Sequence, residues 1–142
     1  MKKSKLARKK DNPNSTYWRT KADELITKIC TGKPCAICHI THRTCGHHLI
    51  SRKVGLLRHN LINLIVLCDT HHNFSNDIAP HSSYLPAVVK FGEWLKNNHP
   101  QKWDLMMTYK SIKGEQNYEN AYNVLLEIIN APDGVNKLLY ER

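Results

Sequence analysis

The chain has no apolar stretch long enough to cross a membrane, and it lacks the charged, apolar and small-residue succession of a signal peptide. Neither a bilayer span nor export is therefore expected, and a soluble, reducing compartment fits. Internal repeats and low-complexity linkers are also missing, so 142 residues read as one ordinary domain with decorated ends. Acidic side chains are scarce, 12 against 21 lysines and arginines, which leaves a formal net charge of +9. That imbalance favours a polyanionic partner through release of condensed counterions, with DNA the leading expectation. Cysteine is present but odd in number, at five. Two of the five sit as Cys35-Ala36-Ile37-Cys38, which suits metal binding better than a disulfide framework.

Histidine is what the chain has in quantity. Six of its nine histidines, His39, His42, His47, His48, His71 and His72, crowd into the central span. Around that span the organisation is simple. Residues 1–14 form a basic arm with no usable apolar face, expected to be mobile when free and to add affinity for phosphates. Trp18, Ala22, Leu25, Ile26 and Ile29 recur at helical spacing, with Ser15 or Asn14 as the cap. Gly32-Lys33-Pro34 stops that helix, and short, irregular extended structure is expected from there to His48. Leu61–Leu67 reads as a short buried strand, followed by a helix from Asp69 or Thr70. Pro86 opens a helix carrying Leu85, Val88, Val89, Phe91, Trp94 and Leu95. Tyr118, Tyr122, Leu125, Ile128 and Ile129 mark another, ended by Pro132-Asp133-Gly134. The expected class is α+β, with a core over 15–83 and a helical extension over 84–142 that packs on the core or forms a dimer interface.

Zinc prefers four soft or borderline ligands in a tetrahedron, and Cys35-x-x-Cys38 supplies half of one. Cys68-x-x-His71 has matching spacing and supplies the other half, so Cys35, Cys38, Cys68 and His71 are the expected structural zinc ligands. No strand-helix thioredoxin pattern accompanies the pair. Cys30 and Cys45 lack paired spacing and are expected to be buried as small apolar residues, with Cys45 a substitute ligand. On a helix, His72 points about 100° away from His71 and is free for a second ion. On a strand, His47 and His48 project to opposite faces, which suggests one ligand and one base.

Gly46-His47-His48-Leu49-Ile50-Ser51-Arg52, then Asn63-Leu64-Ile65-Val66-Leu67-Cys68, then His71-His72, resembles the HNH endonuclease motif with its built-in zinc ribbon over about residues 33–77. Within that superfamily, His48–Arg52 followed by Arg58-His59-Asn60-Leu61-Ile62-Asn63 looks most like the NinG (Rap) recombination nucleases of lambda-type phages. Lys21-Ala22-Asp23 in the preceding helix is similar as well.

The resemblance implies a small ββα-metal core and a metal-dependent DNA endonuclease of the bacterial cytoplasm, leaving 5′-phosphate and 3′-hydroxyl ends. His48 would be the general base, and Asn63 would orient it or tie down its loop. His47 and His72 would hold a divalent ion such as Mg2+, Mn2+ or Ni2+, with Asn76 or Asp77 as the third ligand. An imidazole-rich set suits ions softer than magnesium. The family's last zinc ligand is usually cysteine, so the roles of His71 and His72 can be exchanged. Arg52 and Arg58 are the expected phosphate contacts. A branched recombination intermediate is the preferred substrate and a plain duplex nick the next; a zinc-ribbon DNA-binding module without catalysis is the alternative. One site cuts one strand, so a double cut requires a homodimer or successive nicks.

Overall fold

Leu64–Cys68 is five apolar residues in a row, and all five are buried. A strand so apolar on both sides needs a core on each face, and it has one. This strand, β2, pairs antiparallel with β1 (Thr44–His48), setting His47 opposite Ile65 and His48 opposite Leu64. The coordinates are a computed structural model describing Lys2 and residues 4–141. The hairpin is the only sheet among the described residues, and the fold is α+β.

Around it, among the described residues, lie six helices: α1 (Lys5–Lys10), α2 (Thr16–Cys30), α3 (Leu85–Asn98), α4 (Pro100–Thr108), α5 (Tyr118–Asn130) and α6 (Gly134–Tyr140). Alternation along β2 assigns its side chains to two cores. Leu64 and Val66 join Ala22, Ile26, Ile29 and Cys30 of α2, Leu125 of α5 and Leu139 of α6. Ile65 and Leu67 join Cys35, Cys68, and Phe91 and Leu95 of α3. Gly46 lets α2 approach β1 closely, since a Cβ there would lie 2.8 Å from Cys30 Sγ.

Several expectations change at the edges of these elements. The strand starts at Leu64 rather than Leu61. Asn60 Oδ1 accepts from Ile62 N at 2.9 Å and draws Leu61–Asn63 into a 3-10 turn. After β2 there is one π turn, Thr70–Phe74, in place of a longer helix. Ser75 N closes it onto Thr70 O at 2.7 Å, and Ser75 Oγ then accepts from Asp77 N and Ile78 N at 3.1 Å. In the basic arm, Ser4 caps a short helix through Ala7 N; Met1 and Lys3 of that arm lie outside the described residues. α5 ends at Asn130, at the Pro132-Asp133-Gly134 stretch as expected, whereas α6, which starts at Gly134, and α4, opened by Pro100, have no counterpart among the expected helices.

Lys102 of α4 is the largest side chain in the fully buried set, at 2% exposure. Its Nζ lies within hydrogen-bond distance of the carbonyls of Leu61 (3.3 Å), Ile62 (3.4 Å), Leu64 (2.8 Å) and Leu138 (2.9 Å). One ammonium thus joins α4 and α6 to the segment around Asn63. Burial draws its pKa down to about 8, against the opposing influence of Cys30 and Glu141.

Candidate functional site

Cys35, Cys38, Cys68 and His71 bring their ligand atoms within 4.8 Å of one another. Cys35 and Cys38 come from the turn before β1, and Cys68 and His71 from the end of β2 and the π turn. Cys38 Sγ lies 3.7 Å from Cys68 Sγ, and His71 Nδ1 lies 3.3 Å from Cys68 Sγ and 3.9 Å from Cys35 Sγ. A tetrahedral zinc with bonds of about 2.3 Å to sulfur and 2.0–2.1 Å to nitrogen sets these edges at roughly 3.5–3.8 Å. The group is therefore compatible with a structural metal such as zinc. Burial opposes the Cys35 thiolate, but backbone amides of Cys38, Cys68 and Ile37 hold its pKa below the usual thiol value. The Cys38 thiol is pushed up to about 11 by burial and by its neighbours Cys35 and Cys68. A dication held by these residues would favour their thiolate forms.

The second group stands on the other side of the His71–His72 peptide. Ligand nitrogens of His47, His72 and His81 lie within 4.8 Å of one another. His47 Nδ1 is 3.1 Å from His72 Nε2. The three ring centroids are mutually spaced by 4.8–5.0 Å, and Phe91 meets His47 edge-on at 6.1 Å. The π turn aims His72 here while His71 faces the sulfurs. His81 is returned by its own backbone, with its N–H donating to His72 O at 3.1 Å. Burial first, then the charges of His72, His81 and His48, lowers the His47 pKa to about 3. Burial and His81 lower that of His72. Neutral imidazoles with free lone pairs are the form in which histidine binds a metal.

His81 takes the place expected of Asn76 or Asp77. The same-face argument for Asn76 requires a helix continuing past His72, but the turn ends at Phe74 and leaves Asn76 exposed in the bend beyond. Asp77 pairs with Lys90 Nζ at 2.6 Å. Nothing in the local spacing flags His81, which is nine residues from His72; only its being another histidine in the same stretch hints at it. Cys45 is also corrected. It is exposed rather than buried, and its Sγ lies 3.5 Å from His72 Nδ1, outside the sulfur-rich group. Cys30 is buried, and that burial raises its pKa to about 11.

His48 projects from the opposite face of β1, as strand alternation requires, yet it lines the same cleft. That cleft, of about 860 Å³, runs along β1 from Asp23 and Thr27 of α2 to His81 and Phe91, touching both His47 and His48. His48 Nε2 lies 2.9 Å from Arg58 O. A carbonyl only accepts, so Nε2 carries the proton and Nδ1 keeps the lone pair. Burial lowers the His48 pKa despite the opposing bond to Arg58 O, and Arg52, Arg58 and His59 lower it further.

Asn63 is fully buried, and its side chain hydrogen-bonds to backbone rather than to a histidine. Its Oδ1 accepts from Ile50 N at 2.7 Å, and its Nδ2 donates to Ile50 O and Leu57 O at 3.1 Å. Of the two roles expected for it, the geometry matches loop-tying. It pins both ends of the loop that presents Arg58 O. Arg58 itself does not reach outward for phosphate. Its Nε and NH2 donate to Asp23 at 2.8 and 2.7 Å, and only 17% of its side chain is exposed. Arg52 is exposed at the cleft and stays available to an anion.

No family model, curated protein or solved structure matches the chain. No helix among the described residues is long and apolar enough to cross a membrane.

Proposed function

We propose that the protein is a metal-dependent endonuclease that hydrolyses phosphodiester bonds in DNA, built on a shortened ββα-metal core. One observation carries this reading: three imidazoles converge on a point beside a fourth histidine whose tautomer is fixed, in one open cleft. His47, His72 and His81 would hold a divalent ion. Such an ion supplies Lewis-acid stabilisation for charge developing on a phosphoryl oxygen. His48, with Nε2 occupied by Arg58 O, offers Nδ1 to take a proton from an attacking water. Arg52 grips a neighbouring phosphate, and Cys35, Cys38, Cys68 and His71 hold the structural zinc that fixes the hairpin.

DNA as substrate is supported by the net charge of +9 and by Arg8, Lys9 and Lys10 in the last turn of α1. Contacts of this kind go to phosphates, so binding falls with salt and reads shape more than sequence. A branched recombination intermediate is the preferred substrate on the resemblance to the NinG nucleases, and a homodimer is the route to a double cut. The test is cleavage of supercoiled plasmid and of a four-way junction with Mg2+, Mn2+, Ni2+ or Zn2+. Nicking that His48→Ala reduces by about 100-fold or more supports the reading. Nicking that survives His48→Ala removes the proposed base. Tight, salt-sensitive binding without cleavage under any ion identifies a zinc-ribbon DNA-binding module instead.

A further inference from the structure

Asp23 lies on α2, far in sequence from every histidine of the site, yet it is the most heavily used carboxylate near the cleft. Its Oδ2 accepts from Arg58 NH2 at 2.7 Å, and its Oδ1 accepts from Arg58 Nε and His59 Nε2, both at 2.8 Å. Three donors from two consecutive loop residues thus converge on one carboxylate. Burial alone would raise the Asp23 pKa, but the hydrogen bonds and charges of Arg58 and His59 hold it below the usual carboxylate value. The arrangement leaves His59 Nδ1 buried without a partner, an unfavourable feature of binding His59 through Nε2. Between those two gripped side chains runs the backbone whose Arg58 carbonyl accepts from His48 Nε2 at 2.9 Å. Arg58 NH1 also reaches Arg52 O at 3.4 Å, so the same guanidinium spans the loop.

We propose that Asp23 is a positioning residue for His48: by clamping the Arg58 and His59 side chains it fixes the Arg58 carbonyl, which fixes the tautomer and direction of the His48 ring. Asn63 pins the ends of the loop, whereas Asp23 pins its far side to α2. The inference rests on the reading of His48 as proton acceptor, but its first readout does not depend on catalysis. A carboxylate that merely anchors a loop leaves the His48 tautomer untouched; one that positions the carbonyl does not.

The experiment is long-range 1H–15N correlation of the imidazole rings in zinc-loaded wild type and Asp23→Asn, with His48 assigned by comparison with His48→Gln. Wild type should show His48 as a single Nε2–H tautomer, and Asp23→Asn a mixture. Alongside, kcat for plasmid nicking should fall about ten- to hundredfold with KM nearly unchanged, as expected when a reacting group is misplaced rather than substrate binding lost. Should Asp23→Asn fail to fold, judged by zinc content and melting, Arg58→Lys takes its place, because it keeps the charge but cannot make the two-pronged contact. An unchanged His48 signal in whichever variant folds overturns the proposal. If His48→Ala nicks as well as wild type, the reading of His48 as base fails, while the tautomer comparison still decides whether Asp23 acts on His48.

Discussion

The two histidine-bearing groups stand back to back on one hairpin and share a peptide bond, yet they differ in nearly every property that matters to a metal. The first, Cys35, Cys38, Cys68 and His71, has cysteines in the majority and draws them from two turns at the end of the hairpin where Thr44 pairs with Cys68. The second, His47, His72 and His81, has imidazoles alone and opens onto a cleft. Three thiolates and one imidazole fill a tetrahedron and leave no position for a substrate, whereas three imidazoles leave one open. On the proposed function, the difference separates a group that would hold the chain together from one that would meet a reacting molecule. His71 and His72 are adjacent in sequence and fall on opposite sides of that division.

The largest effect is expected of Cys35→Ser. If the first group is structural, its loss should remove the zinc and unfold the hairpin, because binding a structural zinc is folding free energy on the order of 10 kcal/mol. Circular dichroism with metal analysis checks this; a folded Cys35→Ser protein that keeps its zinc would reverse the assignment. The second group should behave in the opposite way. His72→Ala is expected to leave melting nearly unchanged while reducing nicking by about 100-fold or more, measured on supercoiled plasmid.

Much of this division is legible in the sequence. Matching Cys-x-x-Cys and Cys-x-x-His spacings pick out the four residues of the sulfur-rich group because they come from two turns, where local spacing fixes geometry. His47 and His48 follow from strand alternation, and His72 from its position after His71. His81 is not legible. It arrives through a backbone bond to His72 O, a consequence of the π turn that the sequence pattern read as an ordinary helix; Asn76 was expected for the same reason. Arg58 looked like a phosphate contact because its partner, Asp23, is far away in sequence. Lys102 could not be read as buried, since four backbone carbonyls from two distant segments have no sequence signature.

Acid should weaken the fold through its buried histidines. His47, His48, His59, His71 and His72 all have pKa values held below the ordinary 6.5, in each case chiefly by burial. Below 6.5 the unfolded chain therefore binds more protons than the folded one. Their contribution is fully present above about pH 6.5 and is lost as the pH falls toward the folded values, of which His47 lies near 3. Urea midpoints should be flat just above neutrality and decline steadily on acidification; a midpoint that rises below pH 6.5 contradicts the buried, neutral histidines. The smallest effect concerns the scaffold shared by both groups. Lys102→Met should destabilise by about 1–3 kcal/mol as the carbonyls around Asn63 lose their donor, seen in the melting temperature with zinc content unchanged.

The central claim is that neighbouring histidines serve different ions, and counting ions by native mass spectrometry tests it most directly. Wild type loaded with a divalent metal should carry two ions, and His72→Ala should carry one and stay folded, while His71→Ala should lose the zinc of the sulfur-rich group. A wild type that never binds more than one ion, or a His72→Ala protein that loses both, would contradict the account.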